Sequence, residues 1–63
     1  MPIIEVQMLE GRTTEQKRAL ARELTDGFVR ACGGDAGAVR VLIRDVPRSD
    51  WAVGGVLFAD RDR

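Results

Sequence analysis

The second residue of the chain is a proline, directly after Met1. While Met1 is attached, the proline nitrogen is an inert amide. Loss of Met1, expected before so small a second residue, turns that nitrogen into a secondary amine. An amine works as a base only when unprotonated, so its pKa has to come down toward the working pH. Burial beside apolar groups and nearby cations both act in that direction. Ile3, Ile4 and Trp51 are available for the first effect, Arg12 and Arg40 for the second. The alternative for Pro2 is structural, since proline is tolerated at the start of a strand and needs no further role there.

Two arginines carry the next hint. Arg12 ends a turn, Glu10-Gly11-Arg12, and Arg40 interrupts the apolar run Val39-Arg40-Val41-Leu42-Ile43. A planar guanidinium suits carboxylate recognition, because its donors match the two carboxylate oxygens. The plainer alternatives are a solvated loop charge for Arg12 and a salt bridge from Arg40 to Glu5 or Glu10. Trp51, the only tryptophan, is either a packed aromatic or a pocket wall that excludes water. Histidine and tyrosine are absent. That removes Ser-His and Cys-His nucleophile pairs within the chain and the usual side chain that titrates near neutrality. A general base must therefore be a carboxylate, Lys17, Cys32 or the amino terminus. Nothing near Cys32 marks it as activated, and it reads as a small buried apolar residue. Gly54-Gly55 lacks the spacing and the following Lys-Ser/Thr of a phosphate loop.

At 63 residues the chain is one domain, spanning 1–63. Ten basic residues balance ten acidic ones, which gives no field favouring nucleic acid or an anionic membrane. No apolar run approaches the roughly 20 residues of a membrane span, and the start lacks the pattern of a signal peptide. The expectation is a soluble, cytoplasmic protein. A chain this short has a small core and usually needs disulfides, metal or oligomerisation. With one cysteine and no histidine, oligomerisation is the support left, and neither a metal nor a cofactor is expected.

The elements that must position these residues follow from periodicity. Ile3 to Leu9 reads as a strand, with Ile4, Val6 and Met8 on one face and Ile3, Glu5, Gln7 and Leu9 on the other. Thr13 with Gln16 fits a capping box, and Glu15 suits the positive end of a helix. Leu20, Ala21, Leu24, Phe28, Ala31 and Cys32 share one side of that helix; Arg18, Arg22, Asp26 and Arg30 share the other. Gly27 weakens it and suggests close packing there. Gly33-Gly34 ends it. Val39 to Val46 reads as a second strand, Pro47 to Asp50 as a loop, and Val56 to Phe58 as a short strand. The tail from Asp60 to Arg63 is charged and expected to fray. The class is α/β: one β-α-β unit with two parallel strands, a right-handed crossover and a short C-terminal hairpin. One helix cannot cover both sheet faces, so the open face is expected to meet another subunit.

Taken together, Met1-Pro2-Ile3, Leu9-Glu10-Gly11-Arg12, Glu15-Gln16-Lys17, Val39-Arg40-Val41 and Trp51-Ala52-Val53-Gly54-Gly55 resemble the 4-oxalocrotonate tautomerase family. The resemblance covers nearly the whole chain. It implies dimers of the β-α-β unit, three of which form a hexamer with active sites shared between subunits. It implies a small unsaturated dicarboxylic acid of the 2-hydroxymuconate type as substrate and a proton shift as the reaction, with no cofactor. Pro2 would be the base, Arg12 would bind the far carboxylate, and Arg40 of a neighbouring subunit would hold the 2-oxo or 2-hydroxy group and its carboxylate. Trp51 would be the wall. Two departures bear on the substrate: Trp51 stands for the family's usual phenylalanine, and Ala52 for the glycine after it. Relatives that look similar hydrate or dehalogenate unsaturated acids, and a non-catalytic subunit of a mixed hexamer is a further reading.

Overall fold

A computed structural model describes residues 1–61. Strand β1 runs Ile3–Leu9, helix α1 Thr14–Cys32 and strand β2 Arg40–Val46. A hairpin of β3 (Ala52–Val53) and β4 (Val56–Leu57) follows. β1 and β2 form a parallel pair in the register Ile3↔Arg40 through Leu9↔Val46. Parallel pairing requires a long connection, and α1 supplies it.

The helix begins where its side chains satisfy its first N–H groups. The Gln16 N–H donates to Thr13 Oγ1 at 3.1 Å, and the Thr13 N–H donates to Gln16 Oε1 at 2.9 Å. It ends at Gly33, whose N–H donates to the Val29 carbonyl with φ at +80°, a conformation that favours glycine. Alternation along the strands separates two faces. Ile4, Val6 and Met8 of β1 and Val41 and Ile43 of β2 are half-buried on the side α1 packs against, as are Leu20, Ala21, Leu24 and Phe28 of the helix. Lys17 bridges the two layers with an ion pair to Asp45. On the opposite face Ile3, Glu5, Gln7, Arg40, Leu42 and Arg44 are exposed. Ile3 is 61% exposed and Leu42 44%, high for such side chains.

No side chain among the described residues is fully buried. The accessible surface is 4761 Å², against about 4,000 Å² for a compact monomer of this mass. The radius of gyration is 14.9 Å, against about 11 Å for a globule of this length. The subunit is an open plate with a projecting hairpin. Among the described residues no helix is long and apolar enough to cross a membrane.

Several sequence expectations change. Ala31 and Cys32 are exposed rather than part of the core face. A 19-residue helix is about 27 Å long, whereas a seven-residue strand spans about 20 Å. The last turn of α1 therefore overshoots the sheet that would cover it. A Cβ at Gly27 would meet only the Arg30 guanidinium, at 3.7 Å, so no element packs closely there. Val39 closes a short 3₁₀ turn, and β2 starts one residue later. Residues Arg48–Asp50 and Phe58–Asp60 also form 3₁₀ turns, the second replacing the end of the expected strand. The charged tail is held as far as Arg61, whose guanidinium donates to the Val53 carbonyl at 2.9 Å. The rest of that tail, residues 62 and 63, lies outside the described residues.

Candidate active site

Pro2 and Arg40 meet at one end of the sheet. The parallel register sets Arg40 opposite Ile3, and the Arg40 N–H donates to the Pro2 carbonyl at 2.9 Å. Their side chains diverge. Alternation puts Arg40 on the open face with Ile3, whereas Pro2 shares the side of Ile4; Pro2 is half-buried and Arg40 exposed. Met1 is 82% exposed, so the bond that joins it to Pro2 stands at the surface. Among the described residues Arg40 makes no ion pair with Glu5 or Glu10; the ion pairs are Lys17–Asp45 and Arg18–Glu15. The salt-bridge alternative for Arg40 does not hold within the subunit.

Arg12 lies at the other end. It follows the last residue of β1 by three positions, and β1 separates it from Pro2 by about 20 Å of extended chain. Arg12 is exposed and joins no ion pair among the described residues. Trp51 belongs to the hairpin unit. It is half-buried, its N–H points to the Arg48 carbonyl at 3.4 Å, and its carbonyl accepts the Phe58 N–H at 2.8 Å. One chain thus brings two of the four residues together through their main chains and leaves the other two apart. No cavity forms around any of them within the subunit among the described residues.

Phe58, which the sequence reading places only at the end of a short strand, is a partner of Trp51. Its ring lies 6.1 Å from that of Trp51, tilted by 50°. The signal was present: a Gly-Gly pair is a hairpin turn, and residues 51 and 58 are equidistant from it. Ala52↔Leu57 and Val53↔Val56 are the rungs between.

Comparison with known proteins identifies the family and the fold. A family model described as tautomerase enzyme matches residues 2–61. The 2-hydroxymuconate tautomerase of Comamonas testosteroni is 45% identical over 56 residues, 89% of each chain. A solved heterohexamer 4-oxalocrotonate tautomerase from Chloroflexus aurantiacus superposes with a TM-score of 0.91 at 41% identity, over 97% of this chain and 98% of the other. One of the 4-oxalocrotonate tautomerase isozymes of Methylibium petroleiphilum gives 0.92 at 40% identity, over 98% and 100%.

Proposed function

This chain belongs to the tautomerase family and is an isomerase, and we propose that it moves a proton on a dienol dicarboxylate of the 2-hydroxymuconate type with Pro2 as the base. Loss of Met1 frees the Pro2 nitrogen. The amine takes the proton of the substrate's enol hydroxyl. The oxygen electrons form the carbonyl, the double bonds shift along the chain, and the same proton returns to carbon in a 1,3 or 1,5 sense. No oxidation state changes overall, so the step needs no redox cofactor.

The charge that develops on the 2-oxygen calls for a fixed cation. Arg40 provides it from a neighbouring copy and holds the adjacent carboxylate, and a water-poor pocket strengthens that attraction. Arg12 of another copy takes the far carboxylate, and Trp51 closes the wall. The observation that carries this reading is the length of β1. With Pro2 and Arg12 at opposite ends of one strand, a single substrate reaches both only where two copies meet. Pairing a second copy antiparallel along the unpaired edge of β1 brings one copy's Arg12 end to the other's Pro2 end. The exposed sheet face and the absence of a fully buried side chain among the described residues support the same assembly. We propose a homohexamer; a mixed hexamer, like that of the Chloroflexus relative, is the alternative outcome on purification. A cytoplasmic location is part of this proposal.

The test is ketonisation of 2-hydroxymuconate by protein shown by mass to lack Met1, beside Pro2→Ala at equal concentration. General acid–base transfer contributes about 10²–10⁴-fold, so the variant should lose at least about two orders of magnitude in kcat. Full activity in Pro2→Ala removes Pro2 from the mechanism.

A further inference from the structure

The indole of Trp51 has no hydrogen bond within the subunit among the described residues, so packing alone decides where it points. Its aromatic neighbour among the described residues is Phe58. Trp51 and Phe58 form the rung beyond Ala52↔Leu57, closed by the Phe58 N–H to the Trp51 carbonyl at 2.8 Å. The two rings stand 6.1 Å apart at 50°, within the tilted geometry that aromatic pairs favour.

The phenyl ring is itself gripped. The Arg48 guanidinium carbon lies 5.7 Å from its centroid and that of Arg61 5.1 Å, both within cation–π range. Each guanidinium is anchored in turn, Arg48 to the Phe58 carbonyl at 3.2 Å and Arg61 to the Val53 carbonyl at 2.9 Å. The Arg61 N–H also donates to the Phe58 carbonyl at 3.1 Å. The hairpin that carries this stack turns through Gly54 and Gly55, with φ of +63° and +83°, which suits a tight two-residue turn.

We propose that Phe58 is a positioning residue for Trp51, and that the Arg48–Phe58–Arg61 stack sets how closely the indole closes on the substrate. The inference rests on the reading of Trp51 as the pocket wall. Phe58 touches no reacting atom; it acts through the orientation of the indole. Substrate fit is thereby tuned from the C-terminal hairpin, independently of the proton transfer at Pro2.

The test uses Phe58→Leu, Phe58→Tyr, Arg61→Met and Trp51→Leu in the full-length, Met1-free protein. It measures kcat and KM with 2-hydroxymuconate, oligomeric state by sedimentation, and tryptophan emission. Trp51 is the sole tryptophan, so emission excited at the red edge of indole absorption, beyond that of a phenol, reports this residue alone in every variant that keeps it. Loss of one aromatic partner should raise KM about three- to tenfold in Phe58→Leu, with kcat changed less than KM. Emission should shift to the red, and Phe58→Tyr should restore both. Arg61→Met keeps the ring and removes one cation, so it should move KM and emission in the same direction by less. If Phe58→Leu fails to assemble, Arg61→Met decides. Unchanged KM and emission in whichever of the two assembles overturns the proposal while Trp51→Leu still raises KM. Unchanged KM in Trp51→Leu removes the wall itself, and this inference with it.

Discussion

Mixing two inactive variants should restore activity. Pro2→Ala lacks the proposed base and Arg12→Ala the proposed far-carboxylate ligand. Within one chain these residues are separated by β1, seven residues long, or about 20 Å at the strand rise. An arginine side chain falls well short of that span, so the proposed site must draw Pro2 and Arg12 from different copies. In a symmetric oligomer assembled at random from equal amounts of both variants, half of the Pro2 positions and half of the Arg12 positions are intact. About a quarter of sites therefore hold both. Removing either group should cost about 10²-fold or more, so the mixture should exceed either parent by roughly 25-fold. The variants would be co-denatured, refolded together and assayed with 2-hydroxymuconate at fixed total subunit. Native mass spectrometry confirms that both chains share one particle. Verified mixed particles that are no more active than their parents would refute the shared site. They would require Arg12 and Pro2 to act from the same chain despite the length of β1.

Two further outcomes follow from local geometry. Thr13→Ala removes the hydroxyl that accepts the Gln16 N–H and should cost about 1 kcal/mol per subunit. This is read as a lower urea midpoint, with kcat unchanged in the intact oligomer; an unmoved midpoint means that α1 does not depend on its cap. Raising salt from 0.1 M to 1 M shortens the screening length from about 10 Å to about 3 Å. KM for the dicarboxylate should rise with little change in kcat if Arg12 and Arg40 bind its carboxylates, and a salt-independent KM argues against that role.

The parts of the fold that were legible in the sequence are those set by local chemistry. β1 shows its alternation, and α1 its Thr13–Gln16 cap and its Gly33 stop; both elements keep the bounds that these signals give. Cys32 was misread because a helical wheel records direction and not length. It faces the side of the core but lies past the end of the sheet. The tail was misread because Asp60 and Arg61 look solvated, whereas the Arg61 guanidinium finds a carbonyl eight residues back in the hairpin. Among the site residues, the meeting of Pro2 with Arg40 depends on strand register, and neither residue's neighbours in sequence encode it. The separation of Arg12 from Pro2, in contrast, follows from counting residues in β1. Phe58 was within reach once the Gly-Gly turn was used to pair the residues on either side of it.

The bond between the Arg40 N–H and the Pro2 carbonyl divides Pro2 into two halves with separate duties. Its oxygen fastens the chain terminus to the neighbouring strand. Its nitrogen, as a prolyl amide, has no hydrogen to offer the ladder, so the sheet makes no demand on it. Freed as an amine, that nitrogen could take up and return the proton of the proposed reaction without loosening a strand. The fastening belongs to the main chain, and alanine keeps it. Pro2→Ala therefore alters the chemistry at the terminus while leaving its anchor in place. A position that looked suited to either structure or catalysis has room for both, because the two tasks fall on different atoms.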